Sequence, residues 1–288
     1  QTVAGGNGLG TSRTQFGSNI SGVFVTFNGD VYVSDANNHR VMRWSPGATQ
    51  GVIVAGSDST SGTALNRLWN PQGIFVDAGG NLFIADQGNH RVVRWAPGAT
   101  SGVLVAGGSQ GAGLNQLSTP RSVFVTPEGI LYVADWSNYR ILRFSSGSTT
   151  GVLVAGGNGQ GSGLNQLNSP SGLQVDRMGN IYVADQSYHR IVRWKPNSAG
   201  GELVVGDGQR GSDLNRVGGP LGVLLTPEMD LLVLNNNSQW GGIPNRITRF
   251  KLGELGLDSI APTASGTYYA KFTTKQGCSN VSQSHVIN

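Results

Sequence analysis

The chain has 288 residues, 45 of them glycine, with only 12% charged residues and a formal net charge of +4. No run of about 18 apolar residues exists, which excludes a membrane-spanning helix. The small positive excess falls short of the basic face that nucleic-acid binding requires. The glycines stand at fixed offsets beside Val/Ile/Leu/Tyr runs, as turn punctuation does in a β protein, and this excludes a disordered chain.

Residues 1–6 (QTVAGG) open the chain as a lone predicted strand. They match 103–108 and 152–157 (both VLVAGG), each of which follows the third apolar run of a repeat. The chain therefore begins with what is elsewhere the fourth strand of a unit. This predicts a ring closed by joining the two chain ends. The repeat itself lies at 22–44, 73–95, 122–144, 172–194 and 222–250, with three apolar runs per copy and an Asp-to-Arg loop before the third. Its arginines, Arg40, Arg91, Arg140, Arg190 and Arg246, step by 51, 49, 50 and 56 residues. A period near 50 marks an array of supersecondary units.

In the second copy 73–77 (GIFVD), 82–86 (LFIAD), 91–95 (RVVRW) and 102–107 (GVLVAG) read as strands, bounded by Gly, Pro, Asn and Asp. The turns AGGN at 78–81 and RMGN at 177–180 suit hairpins that need a residue at positive φ. Four antiparallel strands repeated every 50 or so residues make the blade of a β-propeller, with repeats about 22–72, 73–121, 122–171, 172–221 and 222–250. Six blades are favoured, since 288 residues at about 50 each come close to six. The alternative is five blades with a separate tail. Residues 251–288 do not match the repeat, but 266–274 and 279–287 alternate like strands, fitting a degenerate last blade or a tail hairpin.

The Pro-x-Gly motifs at Pro71, Pro170 and Pro220, the Tyr/Phe-Val/Ile-Ala-Asp strand and Asn-His-Arg at 38–40 and 89–91 together resemble the NHL-repeat family over about residues 1–250. The resemblance implies a propeller, commonly six-bladed. Among its relatives are a metal-dependent lyase, and other six-bladed propellers are lactonases. Ile20 in place of proline, Arg121-Ser122 in place of x-Gly, and Asn235 in place of aspartate depart from the pattern. The tail is similar to the closing hairpin of Ig-like segments in secreted Bacteroidetes-type proteins.

Asp35/Arg40, Asp86/Arg91, Asp135/Arg140 and Asp185/Arg190 share one spacing. A group present once per blade is expected to fix a loop by charge-assisted hydrogen bonds rather than to catalyse. His39, His90 and His189 recur in one register, and equivalent places on separate blades lie too far apart for one metal ion. No nucleophile elbow, phosphate loop or glycosidase-like acid pair is present, so no catalytic residue, metal or cofactor is expected. Unrepeated loop residues Trp136, Tyr139, Tyr188, Trp240, Arg121 and Arg67 are the candidate ligand contacts, because aromatic groups interleaved with arginines stack on sugars or peptide side chains. Trp69 is placed on the same loop face, with filling of a gap between blades as its alternative. The chain starts at Gln1 without a signal-like stretch, as a processed secreted protein would, and its one cysteine, Cys278, allows no internal disulfide. The expected function is a non-catalytic secreted or cell-surface module binding protein or carbohydrate. Self-association through the terminal strands and a metal-dependent enzyme are the alternatives, and nucleic acid is disfavoured.

Overall fold

The first repeat folds as a meander of β1 (Ile20–Val25), β2 (Val31–Asp35), β3 (Arg40–Trp44) and β4 (Val52–Gly56), paired in that order. The computed structural model describes residues 2–57, 59–209, 216–235 and 246–252. Blade II comprises β5 (Pro71–Val76), β6 (Leu82–Asp86), β7 (Arg91–Trp95) and β8 (Val103–Gly107). Blade III comprises β9 (Pro120–Val125), β10 (Leu131–Asp135), β11 (Arg140–Phe144) and β12 (Val152–Gly156). Blade IV comprises β13 (Pro170–Val175), β14 (Ile181–Asp185), β15 (Arg190–Trp194) and β16 (Glu202–Val205). Blade V has three strands among the described residues: β17 (Pro220–Leu225), β18 (Asp230–Asn235) and β19 (Arg246–Lys251).

The middle strands of blades II–IV are each sandwiched between two blades, so both faces are buried and the sequence reads as a continuous apolar run. In β6, Leu82 and Ile84 pack back on blade I with Ile74 and Trp95, while Phe83 and Ala85 pack forward against Leu131 and Val133. The same alternation builds the III–IV and IV–V interfaces. Trp44, Trp95, Phe144 and Trp194, at one register of the third strand, are all buried.

The Pro-x-Gly motif has a packing cause. The innermost strands β1, β5, β9, β13 and β17 lie side by side around the axis. A Cβ on Gly73 would stand 2.6 Å from the Arg121 carbonyl oxygen and 2.9 Å from Ser122 Cα. Gly22 and Gly172 meet the next inner strand just as closely, at 2.6 and 2.7 Å from a carbonyl oxygen. At these three positions a residue without a side chain is what allows so close an approach.

Two expectations are corrected. The described residues form five sheets rather than the favoured six. Dividing the length by 50 counted residues 251–288 as a blade, and all but Lys251 and Leu252 of these lie outside the described residues. The second correction concerns closure by residues 1–6. Thr2–Gly6 form no strand, and no ladder joins them to β19. Gly5 and Gly6 turn the backbone away at φ 66° and 99°, as Gly107 and Gly108 do after β8 at 72° and 108°. Ala4 nevertheless packs with Phe16, Met42 and Trp44 on the rear of blade I, the role Ala106 has between blades II and III. The segment thus repeats the end of a fourth strand without its hydrogen bonds.

Gly73→Ala is expected to destabilise the ring by about 1–3 kcal/mol, the cost of forcing an extra methyl into a packed site. The urea unfolding midpoint measures it, and an unchanged midpoint would show that the inner strands separate freely.

Candidate functional site

The second and third strands of blades I–IV are joined through a 3₁₀ turn, and the long connections between blades cross over these turns. Both loop sets therefore share one face. Its framework is a buried ion pair. Asp86 Oδ2 accepts from Arg91 Nε at 2.7 Å and from Asn89 Nδ2 at 2.8 Å, while Oδ1 accepts from the Trp69 backbone N–H at 2.7 Å. Arg91 spends its other nitrogens on the carbonyls of Thr63, Ala64 and Arg67 in the incoming loop. Asp35/Arg40, Asp135/Arg140 and Asp185/Arg190 repeat this at 2.9, 2.8 and 2.8 Å, with every aspartate wholly buried.

Burial pushes the carboxyls of Asp86 and Asp135 above the ordinary value of 3.8, against the opposing pull of their hydrogen bonds. Asp185 is pushed furthest, to about 6. Its blade has Tyr188 where the others have Asn38, Asn89 and Asn138, so Asp185 lacks the carboxamide donor that its counterparts receive.

His39, His90 and His189 end their turns in the left-handed conformation. Each Nδ1 accepts a backbone N–H of the next blade, from Asn70, Thr119 and Gly219 respectively. The three imidazoles thus serve three separate interfaces. Among the described residues no three His, Cys, Asp or Glu side chains converge as metal ligands.

The structure separates the candidate contacts. Tyr139 occupies the histidine register in blade III and packs against the III–IV core. Tyr188 lies under the Arg190 guanidinium, 5.4 Å from ring centroid to Cζ. Arg67 is exposed, and its carbonyl belongs to the Arg91 network. Trp240 lies outside the described residues. Arg121 and Trp136 come together: the guanidinium carbon stands 4.3 Å from the indole centroid, and Nη1 donates to Gln186 Oε1 of blade IV at 3.2 Å. Burial lowers the Arg121 pKa.

Of the two sequence readings of Trp69, the structure favours the loop face. Trp69 does not fill a gap; it is 49% exposed and lines a pocket of about 370 Å³ with Thr63, Asn89, His90 and Gln110. The indole lies across Gly88, where a Cβ would meet its Cγ at 2.5 Å. Blades I, III and IV carry Asn37, Ser137 and Ser187 at that register. The paired departure of Trp69 and Gly88 in one copy was the signal available.

The family model of the NHL repeat matches residues 68–95, the segment that carries the Asp86–Arg91 pair. The chain is a β-propeller, and its residues 68–95 match the NHL repeat. Solved structures similar to this propeller include a chain of the nidogen/laminin complex, 19% identical with a TM-score of 0.61, covering 84% of this chain and 80% of that one. An auxiliary nutrient binding protein from Bacteroides thetaiotaomicron VPI-5482 is 16% identical with a TM-score of 0.56, covering 75% of this chain and 56% of that one. A putative gluconolactonase is 17% identical with a TM-score of 0.56, covering 80% and 73%. At these identities the likeness concerns fold. No curated protein sequence matches the chain.

Two outcomes are expected of the propeller's ion pairs. Asp135→Ala leaves Arg140 buried without its carboxylate and should cost about 3 kcal/mol or more in unfolding free energy. Asp185 holds a proton in the folded state, between pH 3.8 and about 6, that the unfolded chain has already released. Its contribution to stability is therefore complete below 3.8 and is lost as pH rises through about 6. Tyr188→Asn supplies the missing donor, so the Asp185 midpoint seen by carboxyl NMR should fall and the loss of stability across that window should shrink. An unmoved midpoint would contradict this account.

Proposed function

We propose that this propeller is a non-catalytic secreted or cell-surface binding module that recognises a protein through its loop face. The observation that carries the reading is the contrast between repeated and unrepeated groups on that face. The repeated aspartates, arginines and histidines are satisfied within the blades, whereas the unrepeated Arg121 has no acid partner among the described residues. A cation drawn partly out of water beside an aromatic ring is the composition of an interface hot spot. Likeness in fold to a chain of the nidogen/laminin complex and to a protein named for nutrient binding supports binding over chemistry. The putative gluconolactonase of the same fold keeps hydrolysis as the competing reading.

Carbohydrate is a second reading, favoured by the pocket beside Trp69. Its indole is open to solvent, and Asn89 Oδ1 at the pocket wall is buried with no hydrogen-bond partner. An aromatic platform with an adjacent unused acceptor suits a sugar ring and its hydroxyl.

The test is capture from arrays of extracellular proteins and of glycans. Trp136→Ala should weaken capture of a protein, whereas Phe27→Ser, in the β1–β2 turn at the opposite end of blade I, should leave it unchanged. If Trp69→Ala alone abolishes capture and the captured species is a glycan, the second reading replaces the first. Metal-dependent turnover of a lactone by the purified protein would end both.

A further inference from the structure

We propose that Arg121 and Trp136 form a carboxylate-reading centre that takes an Asp or Glu side chain of a protein partner. This rests on the binding-module reading and names the chemistry that its central contact selects.

Position 121 is the second residue of an innermost strand, at the end that meets Asp135 and its turn. The other blades place Ser21, Gln72, Ser171 and Leu221 in this register. Ser21 and Ser171 donate to the carbonyls of Pro71 and Pro220 on the next inner strand, and Gln72 donates to Asn70. These are short-range ties between neutral groups. Arg121 instead reaches across to blade IV, where among the described residues it donates to the neutral carboxamide of Gln186.

The pair is unusually dry for a charged group. Arg121 Nε and Trp136 Nε1 are both buried, and neither has a hydrogen-bond acceptor. Leaving a buried donor unpaired costs free energy, and leaving a desolvated cation without a counter-charge costs more. A Gln in the same register is accommodated one blade away, so the fold does not need this cost. The cost is recovered when an anion arrives, because a guanidinium already stripped of water and fixed over an indole loses little further solvation or freedom on pairing.

The anion is a carboxylate on three grounds. A guanidinium whose only hydrogen-bonded acceptor among the described residues is a neutral carboxamide is suited to exchange it for a carboxylate, the geometric and charge match for its planar fork. One cation beside a neutral carboxamide balances one negative charge, whereas a phosphate of about −1.5 to −2 is recognised by clustered arginines. The guanidinium also covers one face of Trp136, which removes that face as a platform for a sugar ring.

The probe is a displayed library of random peptides with blocked ends, followed by the best binder in Glu, Gln and phosphoserine versions and by an oligoglucuronate. Selected peptides should share an acidic residue, and its Glu→Gln change should weaken binding roughly tenfold or more. Arg121→Gln, which copies the blade II residue, should erase that discrimination while keeping an equal or higher melting temperature. If this variant fails to fold, Arg121→Lys keeps the charge but not the fork, and should lose most of the discrimination. Equal binding of Glu and Gln peptides, undiminished discrimination by Arg121→Gln or by Arg121→Lys, or preference for phosphoserine or oligoglucuronate would each overturn the proposal. Selection of neutral peptides would sink the carboxylate centre and leave the binding module standing. No peptide or protein bound at all would sink both.

Discussion

The buried pairing of an aspartate with an arginine five residues on is the interaction from which the rest of each blade hangs. Asp35, Asp86, Asp135 and Asp185 are at zero exposure, and a lone carboxylate there would be prohibitively costly. Each is admitted because the loop N–H and the arginine Nε fill its acceptor sites, with an asparagine amide added in blades I–III. The arginine in turn gathers the carbonyls of the incoming loop, so one ion pair closes the 3₁₀ turn and fastens the connection between blades. In blade V the neutral Asn235 stands in. Its Oδ1 still accepts from Gly218 N, while its Nδ2 donates to Thr248 Oγ1.

This clamp explains why the loop face is rigid enough to present a site without any helix. Backbone carbonyls that would otherwise face water are held by guanidinium groups, and the histidines tie each turn to the following blade. Side chains that depart from the repeat can then project from a fixed frame. Arg121 over Trp136 and Trp69 over Gly88 are two such departures, in adjacent blades, and both keep polar atoms nearby without partners.

The strand pattern, the four-stranded blades and the Asp–Arg pairing were legible in the chain because each depends on neighbours within about ten residues and recurs several times. The buried third-strand aromatics were legible for the same reason. The blade count was not, since a count by length treats the residues after Leu252 as repeat. Nor was the conformation of Thr2–Gly6, whose match to 103–108 holds at the two glycines while a ladder needs a partner strand.

By itself the sequence determined a propeller of antiparallel blades clamped by buried ion pairs, because local spacing and periodicity suffice for that. Only the tertiary structure decided which unrepeated aromatics are available. Tyr139 and Tyr188 are drawn into the blades, Trp69 is left open, and Arg121 finds Trp136 and, 65 residues away, Gln186. These outcomes depend on how one blade meets the next around the axis, and no local pattern encodes a distance of that kind.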